Sequence, residues 1–278
     1  MAQRTIVITG ASDGIGAAAA RKLAPRGDRL LLVGRRRDKL EAVAGPLGAE
    51  VLVADFERLD DVRALAAHIR DRTDTINVLA NNAGGVFAER MVTVDGNERT
   101  MQVNHYAGFL LTNLLLDVLV ASGATVVNTS SVGAHAFGKL DLADLDATRR
   151  YKTMKAYGDS KLANILFAKG LHARYHDQGL STVALHPGNI ASNFGKEIGN
   201  AMMKLIYKSP LARLLSTPDF GADNLIWAMD GTPGVTWQSG TYYDERRRLP
   251  KRPNPQQDDL GVVEAIWAES ARRVGIEA

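Results

Sequence analysis

Tyr157 and Lys161 stand four residues apart in a helical pattern, so their side chains share one face. A phenol with an ordinary pKa of about 10 exchanges protons poorly at neutral pH. An ammonium group beside it stabilises the phenolate and lowers that pKa, which makes the tyrosine a usable acid and base. Ser131, closing an apolar run, is placed to offer a hydroxyl that orients and polarises a carbonyl oxygen. Such a set moves protons at a carbonyl or an alcohol. The spacing alone is weak, because Tyr151 and Lys155 repeat it. That pair lies where an irregular stretch ends and the helix has barely begun. Tyr157 instead lies in Tyr157-Gly158-Asp159-Ser160-Lys161, whose small and polar neighbours leave its face open.

A second constellation is Thr9-Gly10-Ala11-Ser12-Asp13-Gly14-Ile15-Gly16, between an apolar β-branched run and an Ala-rich helical stretch. Strand, glycine turn and helix N-terminus in that order make a cradle for dinucleotide phosphates. Gly10 permits the tight turn, while Gly14 and Gly16 remove side chains where backbone approaches a pyrophosphate or a strand. The free amides and dipole of the helix favour the anion. A plain strand-to-helix turn is the competing reading.

The next strand ends at Val33-Gly34-Arg35-Arg36-Arg37, with no acid before Asp38. An acid at that place would bind the ribose 2′-OH of NAD, whereas arginine accommodates a 2′-phosphate. Unpaired guanidiniums suit a dianion through parallel hydrogen bonds. NADP(H) is therefore the expected cofactor, with Arg35 the principal contact and Arg36 the second. Asp13, a fixed negative charge in the phosphate loop, keeps NAD(H) as the alternative. The arginines could also simply be the solvated start of a helix.

Short apolar runs at Thr5–Thr9, Arg29–Val33, Glu50–Ala54, Val78–Asn81, Thr125–Thr129 and Thr182–His186 alternate with helical patterns. The helical patterns lie near Ile15–Ala24, Arg37–Ala44, Leu59–Arg72, Glu98–Ala121 and Tyr157–Tyr175. That alternation predicts an α/β fold, a doubly wound parallel sheet with helices on both faces. No repeat or linker divides the chain, so 1–278 is expected to form one domain. Its cofactor half is about 1–125 and its catalytic and substrate half about 126–278. Residues 132–152 look like a surface excursion. The mixed apolar and basic segment 192–220 reads as a flap over a greasy ligand or as an extra packed helix. The basic run Glu245 to Arg252 reads as a solvated loop.

The 278 residues are 45% hydrophobic and 23% charged, ordinary for a globular protein. A net charge of +3 with dispersed basic residues argues against a nucleic-acid partner. With no cysteine, thiolate catalysis and zinc–thiolate sites are excluded. No signal layout or membrane span is visible, and a cytoplasmic enzyme is expected. His68, His105, His135, His172 and His176 read as surface or capping residues, and no metal is expected.

Thr9-x3-Gly14-Ile15-Gly16, Asn81-Asn82-Ala83-Gly84, Asn104, Ser130-Ser131, Tyr157-x3-Lys161 and His186-Pro187-Gly188 occur in one order. In that order they resemble the classical short-chain dehydrogenase/reductase family, over residues 5 to about 192. The resemblance implies a Rossmann-like sheet of seven parallel strands and hydride transfer between NAD(P) and a carbonyl or alcohol. It makes Tyr157 the general acid/base. Lys161 lowers its pKa and holds the nicotinamide ribose, Ser131 orients the substrate oxygen, and Asn104 supports the lysine through a water relay. Asp55 corresponds to the acid beside the adenine, and Asn82, Ala83 and Gly84 flank the adenosine. Pro187, Gly188 and Ile190 meet the nicotinamide amide, and Ser192 stands where threonine is usual.

The segments Asn104 to Thr112 and Ala156 to Phe167 further resemble retinol-dehydrogenase-like members. That branch implies a small hydrophobic aldehyde, ketone or alcohol as substrate. A homo-oligomer or a monomer is compatible with the resemblance. Two other readings stay open, an NAD-dependent alcohol dehydrogenase and a non-catalytic redox sensor that binds the dinucleotide.

Overall fold

A computed structural model describes residues 3–189 and 216–277. Its strands are apolar on both sides because both faces of the sheet are covered, as parallel strands require. β1 (Thr5–Thr9) and β5 (Thr125–Thr129) are buried throughout. With β2 (Arg29–Gly34), β3 (Glu50–Val53), β4 (Val78–Asn81), β6 (Ser181–Leu185) and β7 (Thr241–Tyr243) they form one parallel sheet. The strand order is β3-β2-β1-β4-β5-β6-β7. The chain therefore winds outward from β1, returns to β4 beside β1, and winds outward the other way. The crevice beyond the ends of β1 and β4 is the topological switch point, where ligands of such sheets bind.

Alternate residues of each strand feed two cores. On one face Ile6, Ile8, Leu30, Leu32, Val127 and Leu185 meet α1 (Gly14–Leu23), α2 (Arg37–Ala44) and the helix Pro218–Asp230, labelled α9 below. Small residues Ala17 to Ala20 let α1 approach closely. On the other face Val7, Leu31, Leu79 and Val126 meet α3 (Leu59–Arg70) and a helical run that begins with α4 (Arg99–Met101). That run continues through a π-turn, Gln102–Tyr106, into α5 (Ala107–Leu114) and α6 (Leu116–Ala121). The sequence pattern suggested one helix over Glu98–Ala121, and the structure breaks it at the π-turn and at Leu115. After α7 (Gly133–Ala136), the long α8 (Thr153–Tyr175) crosses this face and α10 (Leu260–Val274) packs on its outer side.

The excursion 132–152 is tied down rather than loose. Asn254 donates to the carbonyls of Ala134 and Gly138, each at 2.8 Å, and Gln256 pairs with the backbone of Leu140. Of the expected flap 192–220, residues 192–215 lie outside the described residues, and Pro218 opens α9. Gly158 packs α8 against α7. A Cβ there would lie 2.7 Å from both the Gly133 oxygen and the Gly138 nitrogen. Backbone cannot swing away as a side chain can, so Gly158→Ala is expected to cost about 1–3 kcal/mol, as overpacking does. Urea denaturation reads that loss directly.

Candidate active site

β5 ends at Thr129, and the chain turns through Ser130 and Ser131 into α7. Ser130 Oγ donates to the Lys161 carbonyl at 2.7 Å and pins the strand end to α8. Ser131 Oγ accepts the Gly133 amide at 3.0 Å and shares a hydrogen bond with Tyr157. The ring of Tyr157 lies against Gly133, where a Cβ would come within 3.0 Å of it. Lys161, one turn along α8, donates from Nζ to the Thr129 carbonyl at 3.1 Å. Its ammonium lies 5.7 Å from the Tyr157 ring centroid. Ser131, Tyr157 and Lys161 are thus gathered, all buried, at the carboxyl end of the sheet.

Asn104 sits in the π-turn, where it, His105 and Tyr106 are all buried. Its Oδ1 accepts the Gly85 amide at 2.8 Å, and its Nδ2 donates to the Gly85 carbonyl and to Ser160 Oγ, each at 2.9 Å. A Cβ on Gly84 would collide with Asn104 Oδ1 at 2.9 Å and stand 3.1 Å from Lys161 Nζ. The Asn82–Gly84 stretch therefore reaches the lysine.

Burial pushes the Tyr157 phenol up to about 12, although its hydrogen bond with Ser131 works the other way. Burial also brings the Lys161 ammonium down to about 8. The lowering of the phenol pKa by the ammonium expected from sequence is not seen: only the Ser131 hydrogen bond lowers it, and desolvation prevails. At neutral pH both groups keep their protons, and the pair presents an acid.

At the switch point Thr9 Oγ1 accepts the amides of Asn82 and Ala83, each at 3.0 Å, and Asn82 Nδ2 donates to the Thr9 carbonyl. Gly10 and Gly14 have positive φ, and a Cβ on Gly16 would lie 2.5 Å from the Gly10 carbonyl. Asn82 thus stabilises the turn that follows β4. Asp13 caps α1 by accepting the Gly14 amide at 2.7 Å, and Lys39 Nζ lies 3.7 Å from its carboxylate. Ile15 follows in the first turn of α1.

The guanidiniums at the end of β2 do not form the unpaired cluster expected from sequence. Arg36 forks onto Asp38 at 3.1 and 2.6 Å, and Arg35 lies 3.5 Å from Glu57. Neighbouring acids on the same surface supply those partners. Exposed pairs of this kind are worth only about 0–1 kcal/mol, so an incoming dianion can outcompete them. Ser12 Oγ stands beside Gly34, within 3.3 Å of where a Cβ would be. Hydroxyl, Arg35 and Lys39 hence surround the end of β2. Asp55 accepts the Glu57 amide at 3.1 Å in the loop after β3. Pro187 and Gly188 extend from β6, with the Pro187 carbonyl held by Asn224 at 3.2 Å. Ile190 and Ser192 lie outside the described residues.

The donor set and the α1 N-terminus at the switch crevice fit a nicotinamide dinucleotide. Its pyrophosphate would be held by the Gly10–Gly16 turn, and its outer ribose would lie near Ser12, Arg35 and Lys39.

Several site residues were not legible in the sequence. Thr129, Gly85 and Gly133 act through backbone or through having no side chain, which leaves no chemical signature. His105, expected from sequence to be a surface or capping residue, and Asn164 are further cases. His105 is not a surface residue but 2% exposed, bonded to Asn164 at 3.1 Å and Ser270 at 2.8 Å. His135 is half-buried and meets Gln257 at 3.1 Å. Tyr151, the rejected tyrosine, donates to the Phe87 carbonyl at 2.8 Å from outside α8. Among the described residues no group of three or more histidines and acids could hold a metal.

Fold and site together define a dinucleotide-binding α/β protein with a buried tyrosine–serine–lysine set. A model of the short chain dehydrogenase family matches residues 4–202, and the chain belongs to that family. It is 40% identical, over 98% of its own length and 93% of the relative's, to a protein provisionally named daunorubicin C-13 ketoreductase from Streptomyces sp. (strain C5). It is 37% identical to human retinol dehydrogenase 13, covering 99% of this chain and 86% of that one. A crystal structure of an uncharacterized protein from Mycobacterium paratuberculosis superposes with a TM-score of 0.79 at 32% identity. That match covers 99% of this chain and 95% of the other. The resemblance to the retinol-dehydrogenase-like branch is borne out, as is the seven-stranded parallel sheet.

Proposed function

We propose that this oxidoreductase uses NADP(H) to interconvert a hydrophobic aldehyde or ketone and its alcohol, with Tyr157 as general acid/base. The observation that carries the reading is the buried hydrogen bond between Tyr157 and Ser131, with Lys161 one turn away. Bound dinucleotide supplies or accepts the hydride. Ser131 orients the substrate oxygen, and the Tyr157 phenol gives its proton to that oxygen as hydride reaches the carbon. In the reverse direction the phenolate takes the alcohol proton. Lys161 holds positive charge near the phenol and would donate to the ribose of a bound nicotinamide dinucleotide. Asn104 fixes the loop that carries Gly84 and supports the lysine through a water relay.

A hydrophobic substrate is supported by Val132 and Phe137, exposed just after Ser131, and by relatives named for retinol and for a daunorubicin ketone. NADP(H) is supported by Arg35, Lys39 and Ser12 around the end of β2. The Asp13 carboxylate favours NAD(H) as the second reading. A cytoplasmic location belongs to the same proposal. Among the described residues no helix is long and apolar enough to cross a membrane.

Titration with NADPH and NADH, followed by nicotinamide fluorescence, tests the cofactor. NADPH is expected to bind tighter. Arg35→Asp should lose roughly 1–3 kcal/mol of NADPH affinity, the scale of a charged hydrogen bond, and leave NADH nearly unaffected. Equal NADPH binding by the variant would move the 2′-phosphate elsewhere. Aldehyde reduction should hold steady through neutral pH. It should fall as pH rises through about 8, where Lys161 loses its proton. A rate that climbs through that range would remove the ammonium from the mechanism.

A further inference from the structure

A line of buried hydrogen bonds runs from the last described helix to the lysine. Ser270 on α10 meets His105 Nε2 at 2.8 Å, and His105 Nδ1 meets Asn164 Oδ1 at 3.1 Å. Asn164 Nδ2 donates to two carbonyls, Asn104 at 3.0 Å and Thr129 at 3.1 Å. The Thr129 carbonyl is the one that accepts Lys161 Nζ. Ser270, His105, Asn164, Asn104, Thr129 and Lys161 are all buried.

We infer that His105 and Asn164 are positioning residues, which tie Lys161 and Asn104 through Ser270 to the C-terminal helix α10. The inference rests on the catalytic reading of Lys161 and Asn104 given above.

The chemistry of each donor and acceptor makes the line directional. With both Nδ2 hydrogens committed to carbonyls, Asn164 can only turn its oxygen toward His105. His105 Nδ1 must therefore carry a proton. Burial holds the imidazole pKa near 4, so the ring is neutral at pH 7 and Nε2 is an acceptor. Ser270 then donates to Nε2, although the Ile266 carbonyl at 2.6 Å competes for the same hydroxyl hydrogen. A histidine that merely filled space would be free to take either tautomer. Removing Asn164 takes one donor from the Asn104 carbonyl and one from the Thr129 carbonyl, so the acceptor that holds Lys161 Nζ loses its second anchor.

Nitrogen NMR of the ligand-free, 15N-labelled protein at pH 7 tests the line without any turnover. His105 should be the Nδ1–H tautomer, and the Lys161 15Nζ resonance should shift in Asn164→Leu. Kinetics with NADPH and decanal as probes then read the consequence. In Asn164→Leu, kcat should fall about 10- to 100-fold, part of the ~10²–10⁴-fold that a positioned acid/base contributes. KM for decanal should stay within about threefold, since no group that contacts it is removed. His105→Leu should show the same loss. His105→Asn, which keeps a donor at the place of Nδ1, should recover most of it.

An Nε2–H tautomer in the wild-type protein overturns the inference even if the variants do not fold. So does an unmoved Lys161 resonance, or an unchanged kcat in a folded Asn164→Leu. If the wild-type protein does not reduce decanal, the catalytic reading is what fails, and the two resonances still decide the hydrogen-bonded line.

Discussion

Tyr157→Phe is expected to lower kcat for NADPH-dependent aldehyde reduction by about 10²–10⁴-fold, the contribution of a positioned proton donor. The substitution removes one oxygen and leaves the ring against Gly133. Fold and cofactor affinity should therefore change little, and NADPH fluorescence titration checks the latter. Ser131 Oγ keeps the Gly133 amide as a partner, so the cavity stays shaped. Single-turnover mixing of enzyme, NADPH and decanal separates the chemical step from product release. A variant retaining most of its single-turnover rate would transfer the acid's role to another group and sink the assignment.

Trp267→Ala is expected to cost about 3–5 kcal/mol of stability, the range for deleting a buried tryptophan. The indole is 4% exposed and makes aromatic contacts with Phe109 at 5.0 Å and Phe167 at 5.7 Å between centroids. The Arg174 guanidinium lies over its ring at 4.1 Å. Gly170 admits the indole, since a Cβ there would lie 2.7 Å from Cε3. The ring is what fastens α10 to α5 and α8, so its loss leaves a cavity that those helices cannot close together. Urea denaturation should show a lower midpoint with an unchanged slope. A loss below about 1 kcal/mol, the size of many surface substitutions, would mean that α10 is peripheral to the cooperative core.

The two expectations concern different kinds of information. Tyr157 was visible in the sequence because its chemistry depends on residue type and on a short, helical spacing. The same holds for the glycine turn at 10–16, where strand, turn and helix are contiguous. Local rules likewise located six of the seven strands, because parallel strands buried on both faces read as unbroken apolar runs. β7 escaped because three residues, Thr241–Tyr243, carry too little pattern. The break of the helix near 99–121 escaped too, since a π-turn keeps the apolar character and changes only the register.

Long-range pairing decided the rest. The arginines after β2 looked unpaired along the chain, yet the fold brings Glu57 to within 3.5 Å of Arg35. The pKa of Tyr157 was expected from its neighbour's charge alone. Burial from several elements sets it instead, and burial is a property of the assembled sheet and helices. His105 and Ser270 lie 165 residues apart, and nothing near either announces the bond between them.

The sequence by itself determined which residues are candidates for the chemistry, the order of six strands and most of the helices, and the family to which the chain belongs. Those follow from residue types and short spacings, which survive any rearrangement of distant segments. Only the tertiary structure decided the protonation of the buried pair, the partner of Arg35 and the line from α10 to Lys161. Each depends on desolvation or on contacts between residues far apart in the chain, and both exist only once the layers have packed.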